Sequence, residues 1–222
     1  MYQWDFGSLL AYRHLFLIGI AYTLTYTVLC VLLGLTIGVL AAFASLSPRA
    51  WLRGIVRMYV ELFRCTPVLV QLIWFYYALP IVSGIEMSPS SAAIVTLALY
   101  GGAFYSEIVR GGIVSIDIGQ KHAARALGMS PAQVMTSVVL PQALKRMLPA
   151  LVNQSIIQLK NTSLLSILAV PDLLYQGQTV AHETYRPLEA YSLVALVYFV
   201  VLWPATLFAK RLELYLALST AA

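Results

Sequence analysis

Between Leu15 and Pro48 the chain carries no charge, and this run restricts the fold more than any other feature. A helix needs about 20 mostly apolar residues to cross the hydrocarbon core. The run is therefore long enough for one tilted or extended membrane span. Within it Gly34 and Gly38 form a GxxxG pair, which lets a second helix approach closely. The whole composition agrees: 60% of residues are hydrophobic and 10% charged, where a soluble domain carries about a quarter charged residues. The N-terminus lacks a basic segment with a cleavable site, so the first span is expected to persist in the mature protein.

Four further spans are expected, giving an all-α membrane protein with a single transmembrane domain over 1–222. The spans fall at about 15–45, 59–82, 91–109, 142–165 and 189–209. Met1 to His14 reads as a short interfacial lead with Tyr2, Trp4 and Phe6. Glu61 and Arg64 are three apart on one helical face, as are Glu107 and Arg110. Both read as ion pairs near a membrane boundary. The fourth span holds Asn153, Gln154 and Gln158, which suit a protein interior or wet cavity better than lipid. Pro171-Asp172 opens a short helix outside the membrane.

The net charge of +5 does not point to nucleic acid, because the basic residues sit beside hydrophobic spans. There they act as topology signals. With the N-terminus outside and the C-terminus inside, only Arg13, Lys160 and Arg186 of the 14 basic residues face outward. That N-out/C-in arrangement puts the longest charge-bearing interruption, 119–141, in the cytosol.

This interruption reads as two helices joined at a corner. Lys121 to Leu127 is Ala-rich and helix-favouring. Gly128 suits a left-handed helix end. Ser130, Pro131 and Gln133 stand where an N-cap, a first helical residue and a capping-box partner belong. Pro141 is expected to kink or stop the second helix. Ala123, Ala124 and Ala126 form a small-residue face suited to docking.

The corner resembles the EAA loop of permease subunits of ABC importers. His122-Ala123-Ala124, Gly128 and Val138-x-Leu140-Pro141 keep its spacing, with His122 where the family has Glu and Val138 where it has Ile. Three further runs resemble polar amino-acid permeases, and the resemblance as a whole extends over nearly all of the chain from the second span to Tyr198. These are Phe63-Arg64-x-Thr66-Pro67-x-Leu69-x-Gln71-Leu72, Ser106-Glu107-x-x-Arg110-Gly111-Gly112-Ile113 and Leu159-Lys160-x-Thr162-Ser163-Leu164. The resemblance implies a type I ABC importer permease fold. It also implies partners: a cytosolic ABC ATPase pair, a second permease subunit (identical or sister chain) and a periplasmic solute-binding protein. The setting would be a bacterial inner membrane. His122, Ala123, Ala124, Ala126, Leu127, Gly128 and Met129 would then couple to the ATPase. The cargo would be a polar amino acid or opine.

No GxxxxGK[ST] phosphate loop occurs, and no Ser/His/Asp or Cys/His group has a catalytic context. This chain is thus expected not to be an enzyme and to hold no cofactor, ATP and magnesium being bound by the partner. His14, His122 and His182 are scattered, and Cys30 and Cys65 lack a CxxC pattern, so no metal site is expected. Depth counted inward from the span ends places Gln71, Tyr100 and Gln154 near the midplane, with Gln158 a fourth candidate for the substrate path. Each could instead make an interhelical hydrogen bond. An ATP-independent secondary transporter or channel is the other reading, but such folds usually carry internal repeats, and none is found here.

Overall fold

The computed structural model describes residues 2–221, with side-chain surroundings through Leu216. Every element in that range is helical. A 3-10 turn at Gly7–Tyr12 leads into α1, Arg13–Ser45. Then come α2, Ala50–Cys65, and α3, Val68–Ser83, which meet at an angle of 107°. Next are α4, Pro89–Val114, and α5, Ile118–Ala126. Helix α6 covers 131–161, and a 3-10 segment, Thr162–Leu168, follows it. The last two are α7, Leu173–Thr184, and α8, Pro187–Ala221.

Helices α1 and α4 form the central pair, and glycine sets how close they come. A Cβ at Gly38 would lie 2.5 Å from Tyr105 Cβ and 3.0 Å from the Gly102 carbonyl. A Cβ at Gly34 would lie 3.3 Å from the Ala98 carbonyl. The GxxxG pair therefore carries this helix contact, as the close-packing rule for membrane helices requires. Three apolar clusters surround it: one around Leu72, Leu97 and Leu165, one under the 119–141 corner, and one joining α1, α7 and α8.

Length and composition alone qualify Gly7–Ser45, Pro89–Val114 and Pro187–Leu216 as membrane spans. Taken together, α2 and α3 qualify as a fourth, broken one. Helix α6 does not qualify, because Lys145 and Arg146 together with Gln142, Asn153, Gln154 and Gln158 lower its hydropathy. The second span is thus not the single rod over 59–82 that hydropathy suggests. It breaks at Thr66-Pro67, where Pro67 lacks the N–H that would continue the helix.

Pro141 lies inside α6. It neither stops nor splits α6. The turns before it, Val134–Val139, widen into a π-helical stretch, and the helix resumes at Leu140. The same device at Trp74–Ala78 precedes Pro80 in α3. A π-turn moves aside the carbonyl that the proline ring would strike.

Candidate functional site

The corner over 119–141 is built by local chemistry. Asp117 caps α5, accepting from the Gly119 N–H at 2.6 Å. Gly128 takes φ +81°, a left-handed value that admits glycine at no steric cost. The Gly128 N–H then donates to Arg125 O and the Met129 N–H to Ala124 O. The capping box is complete. The Ser130 N–H donates to Gln133 Oε1 at 2.8 Å, and the Gln133 N–H donates to Ser130 Oγ at 3.3 Å. Underneath, Ala124 packs with Val109, Ile113, Ile116, Val134 and Val139. Arg146 donates from Nη1 to the Ser115 carbonyl at 2.6 Å, tying the corner to the end of α4.

The small-residue face is consequently divided. Ala124 is buried in the chain's own core, whereas His122, Ala123, Ala126, Gly128 and Leu127 are exposed and Met129 is half-buried. Leu127 is 83% exposed at the tip. The tip is apolar and exposed, and it is held by two caps and a packed underside.

A second feature is a polar seam between α4 and α6. Gln154, Gln158 and Asn161 recur at helical spacing on one face of α6. Gln158 is fully buried and donates from Nε2 to the Leu97 carbonyl at 2.7 Å, with its amide against Gly101. Four buried atoms here make no hydrogen bond among the described residues: Gln154 Nε2, Gln158 Oε1, Thr96 Oγ1 and Asn161 Nδ2. Buried polar groups nearly always have a partner, protein or water. Tyr100 sits beside Asn161 and packs its ring on Phe104, with centroids 4.8 Å apart.

Gln71 has a different setting. Its Nε2 donates to Phe63 O at 3.0 Å, Thr66 O at 3.1 Å and Thr66 Oγ1 at 2.6 Å. It thereby satisfies carbonyls that the break between α2 and α3 would orphan, and only its Oε1 stays unpaired. Thr96, Asn161 and Phe104 had no role in the sequence reading; polarity or aromaticity on a buried helical face is the signal that marks them.

Of the two charge pairs expected from helical spacing, Glu107–Arg110 forms and Glu61–Arg64 does not. Glu61 pairs with Arg57 at 2.7 Å rather than with Arg64. Arg110 grips Glu107 with two bonds of 2.9 and 2.8 Å. Arg64 stands 3.7 Å from the same carboxylate, with its guanidinium 5.5 Å above the Phe104 ring.

At the opposite end Asp172 caps α7, accepting from the Leu174 and Tyr175 N–H groups at 3.3 and 2.9 Å. The Leu173 N–H donates to Thr23 Oγ1 of α1 at 3.1 Å. Burial pushes the Asp172 carboxyl up to about 6, against the lowering effect of those backbone donors. The Tyr198 hydroxyl lies beside it without a well-formed hydrogen bond among the described residues.

An apolar helical bundle with a buried polar seam and a rigid exposed corner defines a membrane permease. Residues 34–218 match the family described as binding-protein-dependent transport system inner membrane component. The chain belongs to that family, as an ABC-type permease subunit of the bacterial inner membrane. It is 38% identical over 213 residues to the glutamine transport system permease protein GlnP of Escherichia coli (strain K12), covering 95% of this chain and 97% of that one. It is 37% identical to the putative glutamine transport system permease protein GlnP of Rickettsia typhi, covering 88% and 89%. Among solved structures, an amino acid ABC transporter crystallised with histidines superposes with a TM-score of 0.89 at 36% identity, covering 97% and 99%. The inward-facing MetNI methionine ABC transporter shares the fold, with a TM-score of 0.75 at 22% identity over 91% and 96%. The ATP-independent reading finds no support among these relatives.

Proposed function

We propose that this chain is the substrate-conducting half of a polar amino-acid importer, with glutamine the first cargo to test. The similarity to a glutamine permease and to an amino acid transporter, both over nearly the full chain, supports that class. It spans the membrane five times, N-out and C-in, with α6 as the span that apolarity alone does not reveal. A polar helix is tolerable at that depth when its polar face meets protein or water. The observation carrying the proposal is the α4–α6 seam, where four buried polar atoms lack partners and so are available to a polar solute.

In this reading Gln154 and Gln158 line the path with Tyr100, and Gln71 adds its free Oε1. His122, Ala123, Ala126, Leu127 and Gly128 enter a cleft of a cytosolic ABC ATPase, with Ala124 and Met129 supporting them from beneath. Two permeases, identical or sister chains, two ATPases that bind ATP and magnesium, and a periplasmic binding protein complete the machine. Hydrolysis and the nucleotide and magnesium sites belong to those ATPases in this reading. Closure of the ATPase pair moves the corner, and the seam opens to alternate sides. Reconstitution in proteoliposomes with the ATPase and binding protein tests this directly. The expected result is ATP-dependent glutamine uptake. Uptake that continues without ATP, or no uptake of any polar amino acid, overturns it.

A further inference from the structure

A cavity of about 540 Å³ opens between the inner end of α1, the polar face of α2 and the end of α4. Its walls include Arg57, Glu61, Arg64, Glu107 and Arg110. Helix α2 has three faces. Val56, Val60 and Phe63 pack inward, while Trp51, Ile55, Met58 and Leu62 form an exposed apolar stripe. Arg53, Arg57, Glu61 and Arg64 recur at helical spacing on the third, more than a quarter-turn from the apolar stripe. The charged face thus turns away from the surface suited to lipid.

Arg64 is the unusual member of this wall. Arg53 donates to the Ser47 and Pro48 carbonyls, Arg57 holds Glu61, and Arg110 holds Glu107 with two bonds. Arg64 makes no hydrogen bond among the described residues. Its nearest carboxylate oxygen, 3.7 Å away, is already taken by Arg110 at 2.8 Å. A guanidinium presents five donors in a flat fork matched to a carboxylate. This one stands over Phe104, 5.5 Å from its ring centroid, and Phe104 in turn packs on Tyr100 beside Asn161. Arg64, Phe104, Tyr100 and Asn161 make one continuous line from the cavity to the polar seam.

We propose that this cavity is an inner binding site for the zwitterionic head of the transported amino acid. The Arg64 fork takes the α-carboxylate, and Glu107 and Glu61 on the same wall face the α-ammonium. The proposal rests on the amino-acid import reading and adds the site that recognises what all amino acids share. Amide, charged and apolar side chains then meet the seam above, where selection among cargoes occurs.

The test measures binding to the purified permease–ATPase complex without binding protein, using L-glutamine and its α-amide as probes. Wild type prefers the free carboxylate about tenfold, the worth of one charge-assisted bidentate contact. Arg64→Gln binds the two alike, and Arg64→Lys falls between. Phe104→Leu keeps every charge and weakens the preference, which holds the question open to refutation even where an Arg64 variant fails to fold. An undiminished preference in Arg64→Gln or Phe104→Leu overturns the site while leaving amino-acid import standing. A preference that depends on added phosphatidylglycerol assigns the cavity to a lipid headgroup and also overturns it. Loss of ATP-driven uptake in the wild type itself refutes the import reading instead.

Discussion

At the scale of single residues, Gln154 and Asp172 make opposite demands on burial. Gln154 is buried with its Nε2 unpaired, a cost that a passing solute can relieve. Gln154→Ala removes one such contact, worth about 1 kcal/mol, so uptake at low substrate should fall about fivefold. Copurification with the ATPase should survive, because Gln154 lies far from the corner. Unchanged uptake removes Gln154 from the path. Asp172 is buried with its donors in place, and its folded pKa stands above the unfolded value. The native state therefore binds the proton more tightly, and stability from this group is complete below pH 3.8 and lost as pH rises to about 6. Asp172→Asn keeps a capping oxygen and removes the charge. Its thermal stability in detergent should lack that fall, with a difference from wild type of at most about 3 kcal/mol above the window. Parallel pH profiles would contradict the burial argument.

At the scale of elements, the α1–α4 crossing and the corner each depend on glycine, for different reasons. Gly38→Val would push a side chain into the Gly102 carbonyl and Tyr105. Overpacking of this kind costs about 1–3 kcal/mol, and the measurable result is a lower melting temperature and poorer assembly. Gly128 has open space around it but a positive φ. Gly128→Val should cost about 1–2 kcal/mol in the corner itself and reduce ATPase copurification with little change in overall melting. Leu127→Asp should do the same by another route. Bulky substitution of Ala124 is a poorer probe, since it disturbs the core under the corner first. The corner was readable from sequence because caps and left-handed glycines are short-range chemistry. The partner of Arg64 was not. Glu61 has two arginines at helical spacing, and the choice between Arg57 and Arg64 is settled by Glu107, supplied by α4. Likewise Gln71 reads as a path residue on a straight span and becomes a corner tie only once α2 and α3 are known to break. The unpaired atoms of Thr96 and Asn161 needed the α4–α6 register, which no periodicity reveals.

At the scale of the whole molecule, α4 is mostly enclosed, while most of α8 through Leu216 is exposed, a surface suited to lipid or a second subunit. The orientation proposed above makes a direct prediction. A single cysteine at Leu127, in a background where Cys30 and Cys65 are replaced, should be labelled by a membrane-impermeant maleimide only in inverted vesicles. One at Tyr185, which is 89% exposed, should be labelled only from the periplasmic side. The reverse pattern would invert the topology and place the corner beyond reach of ATP.

The uninterrupted run of helix over 131–161 has a mechanical consequence. Because the helix continues through the widened turn before Pro141, the capped corner and Gln154 are two points on one element. They are roughly 36 Å apart at the usual rise per residue. In the orientation proposed above, a stroke applied to the tip is delivered toward Gln154 within a single piece of backbone, with no loop between to dissipate it.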